Sequence, residues 1–319
     1  MNEPERCTRC VTPITRPGLI IDEEGVCSAC RWEEQKLKDT KGMKALRSLI
    51  ELYCRNWGRE FDCLLTVSGG KDSTYQTYMI TRELGLKAMG VTWACCQSTP
   101  EGEANLNNLI HTFNIVHVMI QPAPRDYPEQ MRKGLIDDGD CCMPCHHGIF
   151  SQAAKIAKAY EIPLIIWGEN PRKEYGGVVS AGEDQPLIID GVTHLYLGDY
   201  INWDAKSQVD IIKTMGFKEL STPPHGAWLK YENVDCGFVG IHDYFAYLKF
   251  GMSRASIQLS IEIRKDRMTR DEALKILSYI EPVHRPGEEV QRFLKFSDMA
   301  MEDFLYAEKR FVSKDLETV

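Results

Sequence analysis

The run Ser68-Gly69-Gly70-Lys71-Asp72-Ser73-Thr74 gathers into seven positions most of what an anion site needs. Its glycines let the backbone approach a charged group closely, and amide N–H groups at a helix start point outward towards it. The hydroxyls of Ser68, Ser73 and Thr74 add donors, and Lys71 adds positive charge. Asp72 supplies a carboxylate suited to Mg²⁺ or to orienting a substrate. The run is not the Gly-x-x-x-x-Gly-Lys-Ser/Thr loop of Walker A sites, which is longer. The chemistry implied is the gripping of a phosphate-bearing ligand.

Thiols form the second chemical inventory. The chain has 12 cysteines, and in a reducing compartment clustered cysteines point to metal or redox chemistry before disulfides. Cys7-x-x-Cys10 and Cys27-x-x-Cys30 have the spacing of a four-thiolate structural zinc site, closed and suited to folding and docking. Cys142-x-x-Cys145 with Cys236 leaves three readings open. Three thiolates can hold a [4Fe–4S] cluster with one iron open; they can hold zinc completed by His146 or His147; or they simply line a pocket. Cys141 is a spare candidate, while Cys54, Cys63, Cys95 and Cys96 read as packing residues. His146 and His147 are acid–base candidates as well, although a histidine opening a helix is more often packed or solvated.

These groups need a scaffold, and the patterning supplies an α/β one. Apolar runs over 61–67, 86–93, 116–120 and 163–167 read as strands, alternating with helices over 72–83, 105–113 and 149–160. That alternation predicts right-handed β-α-β units and a parallel, helix-covered sheet of the Rossmann-like type. Ligands in such sheets bind at the carboxyl ends of the strands, so the loops at 68–74, 94–100 and 168–176 should share one edge. Gly168, Glu169 and Asn170 then sit where they can touch ligand. The expected divisions are a cysteine knuckle over 1–31, a linking helix over 32–60 and the α/β domain over 61–200. A helical region over 201–319 completes the chain. In that last region Arg254 is the arginine read as binding substrate; Arg264, Arg267 and Arg270 at helical spacing read as a solvated face.

Composition bounds the rest. With 43% apolar residues over 319 positions the chain can bury a core, yet its apolar runs are strand-sized, far short of a membrane span. The polar N-terminus has no signal-peptide pattern, which predicts a cytoplasmic protein without a membrane partner. A net charge of −8 argues against a nucleic-acid partner and for a small molecule or protein.

The Ser68–Thr74 motif resembles that of the ATP pyrophosphatases (the PP-loop, adenine-nucleotide α-hydrolase type). The resemblance implies an ATP cofactor with Mg²⁺, held by Ser68 to Thr74 with help from Gly168, Glu169 and Asn170. It also implies transfer of AMP to a substrate oxygen, with Lys71 and Asp72 in the reaction. Adenylation turns a poor leaving group into AMP, so nitrogen or sulfur can replace the oxygen. Cys142, Cys145 and Cys236 resemble the cluster-binding trio of the tRNA-thiolating branch, which would make the protein a [4Fe–4S]-dependent sulfurtransferase with Cys142 and Cys145 catalytic.

Other segments resemble the N-acetyl sugar amidotransferases of bacterial surface-polysaccharide synthesis, including lipopolysaccharide. They are Cys7-Thr-Arg-Cys10 with Gly25-Val-Cys-Ser-Ala-Cys-Arg31, Ile166-Trp-Gly-Glu-Asn-Pro171 and Glu174-Tyr-Gly-Gly177. Tyr244 to Ser256 and Glu262 to Ala273 extend the likeness, so that it spans Cys7 to about Tyr279. It implies conversion of an acetamido group on a nucleotide-linked sugar to an acetamidino group. Ammonia would come from a separate glutaminase and synthase pair.

Overall fold

The computed structural model describes residues 4–39, 41–54, 59–94, 97–170, 187–189 and 191–314. Its centre is strand β1, Cys63–Thr66, a short apolar run able to bury both faces, as the middle of a parallel sheet requires. Leu64 pairs with Met89 on β2 (Ala88–Trp93) and with Ile165 on β4 (Leu164–Trp167). Beyond β2 lies β3 (Val116–Ile120); beyond β4 lies β6 (Val192–Tyr196), edged by β5 (Leu187–Ile189). The order is β3-β2-β1-β4-β6-β5, parallel except for β5.

Side chains alternate across this sheet. Cys63, Leu65 and Val67 join one buried layer with residues of α2 (Gly42–Cys54), α3 (Lys71–Tyr78) and α4 (Pro100–Phe113). Leu64 joins the opposite layer with Ala153, Ala154 and Ala157 of α6 (Met143–Ala159). The chain runs outward from β1 through β2 to β3, then returns to place β4 on β1's other side. The loops after β1 and β4 therefore diverge and leave a crevice between them.

After the sheet come α7 (Ala205–Lys213), α8 (Val239–Phe250), α9 (Arg254–Arg264), α10 (Arg270–Ile280), α11 (Gly287–Ser297) and α12 (Met301–Phe311). Their starts are fixed by side chains: Asp204 caps α7, Ser253 caps α9, and Thr269 with Glu272 forms a capping box on α10. Phe238, Phe245, Phe293 and Phe304 pack into one core with Met131 and Leu135 of α5 (Asp126–Asp138). Among the described residues no helix is long and apolar enough to cross a membrane.

The fold class expected from the sequence stands, with local differences. The single linking helix over 32–60 is two: α1 (Ser28–Asp39), which begins inside the cysteine knuckle, and α2. Gly42, in the left-handed region at φ +80°, opens α2 and lets the chain turn between them. Helix α5 adds to the expected pattern, with a proline at its third residue. Pro128 lies in the first turn, where its missing N–H costs no intrahelical bond. Strands β5 and β6 add to the expected pattern; in β6, Thr193 and His194 interrupt the apolar run although both are buried. Cys95, Cys96, Pro171 and the Glu174–Gly177 segment lie outside the described residues.

Candidate active site

The phosphate-type loop sits where the crevice begins. Gly69 adopts φ +85°, and a Cβ there would lie 2.3 Å from the Gly102 carbonyl oxygen of α4. Only glycine permits both the backbone conformation and that approach. The hydroxyls of Ser73 and Thr74 donate to the Gly70 carbonyl at 3.1 and 2.8 Å, locking the first turn of α3. The amide of Ser68 donates to Ser73 Oγ at 3.3 Å, folding the loop back on that turn. The helix start thus faces the crevice, with first-turn amides that have no intrahelical acceptor.

Lys71 is buried, its Nζ 2.6 Å from Asp72 Oδ2 and 3.3 Å from Glu232 Oε1. Asp72 also accepts a 3.3 Å bond from Trp203 Nε1, which holds it at the crevice floor. Burial pushes the carboxyls of Glu232 and Asp235 above their ordinary range. Asp235 lies against the loop, 3.5 Å from where a Gly70 Cβ would stand.

Two cavities meet at this loop. The larger, about 750 Å³, is walled by Thr92, Gln97, Asn107, Gln121 and Tyr127. The second, about 550 Å³, holds Asp72, Ser73, Glu169, Cys142, Cys145, His146, Cys236, His242 and Arg254 along its lining. Ser68, Trp93 and Asp235 line both. Phe150, Trp167 and Tyr196 give the second cavity an aromatic wall, with the rings of Phe150 and Trp167 4.6 Å apart.

The three thiols read together from the sequence thus face one cavity beside the loop. Cys142 stands at the N-terminal boundary of α6 without a side-chain capping bond, and Cys145 lies in the first turn. Cys142 is also grouped with Asp140 and His242: ligand atoms of these three lie within 4.8 Å of one another. His242 Nδ1 is 3.1 Å from Asp140 Oδ1, which also accepts the Cys142 amide at 2.8 Å. Burial alone would push His242 down, but its bonds to Asp140 and Cys142 outweigh that and hold it up at about 10.

Other expected site residues find mixed places. Gly168 packs closely on Trp203, where a Cβ would meet the indole at 2.9 Å, and Glu169 lines the second cavity. Asn170 is buried and donates to Asp199 at 3.1 Å. Arg254 lines the cavity while its guanidinium grips Asp243 through two bonds of 2.9 and 2.6 Å. His147 is exposed and lines neither cavity. Arg267 and Arg270 are not a solvated face: Arg267 bridges Glu262 and Asp204, and Arg270 donates to the carbonyls of Cys10 and Cys7. Each satisfies buried acceptors that helical periodicity alone does not reveal.

Cys7, Cys10, Cys27 and Cys30 are fully buried, with sulfurs within 4.8 Å of one another. The Cys10–Cys27 separation is 3.7 Å, close to the edge of a tetrahedron with zinc–sulfur arms of about 2.3 Å. Hydrogen bonds from Cys27, Cys30 and Cys7 hold Cys10 well below the usual thiol range, while the same bonds to Cys10 push Cys27 and Cys30 above it.

Residues the sequence reading missed are Glu232, Asp235, Asp140, His242 and Trp203. Asp140 and Asp235 each stand next to a cysteine of interest, the one local signal that could have drawn attention to them.

Residues 225–317 match the family model described as LPS biosynthesis protein WbpG-like, C-terminal domain. That match bears out the family resemblance carried by Tyr244 to Ser256 and Glu262 to Ala273, both of which lie inside it. No curated protein matches the chain. Among solved structures, NMN synthetase from Francisella tularensis is similar at 12% identity and a TM-score of 0.41, over 86% of this chain and 95% of that one. The U34-tRNA thiolase NcsA from Methanococcus maripaludis, solved with its [4Fe-4S] cluster, is similar at 12% identity and a TM-score of 0.41. That likeness covers 88% of this chain and 90% of the thiolase. Likenesses this remote carry no argument about chemistry.

Proposed function

We propose that this protein is an ATP-dependent, AMP-forming amidotransferase that converts the acetamido group of an N-acetyl sugar to an acetamidino group. The observation that carries the reading is the meeting of two cavities at one phosphate-type loop, with Ser68, Trp93 and Asp235 common to both. Transfer of AMP needs this arrangement, because the α-phosphorus of ATP must face both its nucleoside and an acceptor oxygen. The nucleoside fits the larger cavity, the β,γ-phosphates the loop, and the acceptor sugar the aromatic-walled cavity. Aromatic faces suit the apolar C–H faces of a sugar ring.

In this reading the acetamido oxygen attacks the α-phosphorus and pyrophosphate leaves. Lys71 and the first-turn amides of α3 neutralise the charge that develops on the phosphates. Asp72 and Asp235 would hold Mg²⁺, which would screen the same charge. Ammonia then adds to the activated carbon, AMP departs with the original oxygen, and loss of a proton leaves the amidine. Glu169, beyond β4, faces the cavity where such a proton could be taken. Arg254, fixed by Asp243, orients the acceptor. Zinc in the four-cysteine knuckle would be structural.

In this reading a separate glutaminase and synthase pair supplies the ammonia; the matched family's description as an LPS biosynthesis protein supports a surface polysaccharide such as lipopolysaccharide as the destination of the product. The reaction belongs in the cytoplasm, where nucleotide-linked sugars are made. A second reading, sulfur transfer through a [4Fe–4S] cluster, is supported by the three thiols that face the acceptor cavity.

The test is mass spectrometry of products from ATP, Mg²⁺ and candidate nucleotide-linked N-acetyl sugars, with ammonium or sulfide as nucleophile. AMP together with an acetamidino sugar from ammonium is the expected result. A thio product formed only from sulfide would replace this reading with the second, and release of ADP in place of AMP would overturn both.

A further inference from the structure

We propose that Asp140, Cys142 and His242 form a mononuclear metal site of the zinc class, with an open coordination position facing the acceptor cavity. This goes beyond the proposed function, which assigns no such site, and it offers a mononuclear ion at Cys142 in place of an all-thiolate cluster.

The donor set argues first. A carboxylate, an imidazole and a thiolate together suit a borderline divalent ion such as Zn²⁺, whereas iron–sulfur clusters are held mainly by thiolates. Among the described residues only two groups bring three or more such ligand atoms within 4.8 Å of one another: the four-cysteine knuckle and this trio. Cys145 and Cys236 face the same cavity yet stand outside the second group.

Geometry argues next. Ligand atoms on a tetrahedral zinc ion with arms of 2.0–2.3 Å are separated by about 3.3–3.8 Å. His242 Nδ1 and Asp140 Oδ1 are 3.1 Å apart, so an ion can replace the proton between them with a shift of a few tenths of an ångström. The trio is drawn from separate parts of the chain: Asp140 and Cys142 precede α6, and His242 lies in the first turn of α8. It is also held in place. The Cys142 amide donates to Asp140, and α5 and α8 share one packed core.

Access argues last. Cys142 and His242 line the cavity while Asp140 stands behind them, so a three-ligand ion would present its fourth position to the cavity. Three protein ligands with one open place is the pattern of a catalytic rather than a structural zinc site. Water or ammonia, each a neutral lone-pair donor, is the class of ligand that would fill it.

Metal content reads this out with no substrate present, so the result stands apart from the fate of the amidotransferase reading. Protein purified from zinc-supplemented cells and dialysed should carry about two zinc ions per chain, one in each cysteine-containing group. The variants His242→Ala and Asp140→Asn should each keep about one, and the surviving knuckle ion then reports that the variant has folded. X-ray absorption of a Cys27→Ser protein should show mixed nitrogen, oxygen and sulfur ligation. One zinc ion in wild type, two in both trio variants, or iron with acid-labile sulfide lost on Cys145→Ser would overturn the proposal.

Discussion

The hydroxyl of Thr12 donates to Ser260 Oγ over 2.9 Å in a fully buried contact, which fastens the cysteine knuckle to helix α9. Arg254, at the start of that helix, lines the acceptor cavity. The same joint includes Arg6 with Glu281, Lys265 with Glu33, and Val11 packed among Ala255, Leu259, Ala273 and Leu277. The knuckle is therefore a wedge behind one wall of the site.

Removing one knuckle thiol should be felt there. Cys27→Ser is expected to lose the knuckle zinc and several kcal/mol of stability, because metal binding in such small elements is folding energy. Thermal unfolding with parallel zinc analysis measures this. An unchanged melting temperature after zinc loss would separate the knuckle from the fold.

Lys71→Ala should lower AMP formation by roughly 10²–10³-fold, the usual cost of losing one charge-stabilising donor at a reacting phosphate. The structure adds a stability effect, since Lys71 is buried between Asp72 and Glu232 and its loss leaves both without that cation. Lower melting temperature with retained far-UV circular dichroism is expected. AMP release at the wild-type rate would remove the loop from the chemistry.

Gly69→Ala should destabilise the protein by roughly 2–3 kcal/mol or more, since φ +85° and a 2.3 Å approach to the Gly102 carbonyl both exclude a Cβ. Denaturant titration gives the value. A cost below about 0.5 kcal/mol, ordinary for a surface change, would show that the loop relaxes freely.

Asp235 supplies a pH test. Burial raises its carboxyl pKa in the native state, so the native protein binds that proton more tightly than the unfolded chain. The group's contribution is fully present below the ordinary value of about 3.9 and is lost as pH rises from there through the raised native value. Asp235→Asn removes the loss, so its stability advantage over wild type should grow between about pH 4 and pH 7. Chemical denaturation across that range decides it; an advantage that shrinks with pH has the wrong sign.

Phe150 is 47% exposed on the aromatic wall, its ring 4.6 Å from that of Trp167. Phe150→Ala should raise KM for the sugar about tenfold, the scale of one lost aromatic contact, with kcat and stability nearly unchanged. An effect on kcat alone would move this wall from binding to chemistry.

Much of this was local and so legible. The strand before Ser68, the glycine turn and the helix after it are decided within a dozen residues by apolar content, φ requirements and the helix-start pattern. The same holds for Cys7, Cys10, Cys27 and Cys30, whose spacing is itself the signal, and for the helices of the C-terminal region, whose apolar period survives on one face. Where local pattern and burial part company, the reading failed: β6 is buried despite Thr193 and His194, and α5 carries a proline that its first turn tolerates.

The sequence by itself determined the parallel α/β sheet, the phosphate-type loop and the four-cysteine knuckle, because each depends on neighbours close along the chain. Only the tertiary structure decided that Glu232 reaches Lys71 and that Asp235 meets Ser68 and Trp93 where two cavities join. It also decided that His242 lies 3.1 Å from Asp140, although 102 residues separate them. The physical reason is that these charged groups mark no period and no turn. They come together only because helices α5, α6 and α8 bury apolar faces against one another and the sheet, and packing carries the polar residues to the crevice those faces leave open.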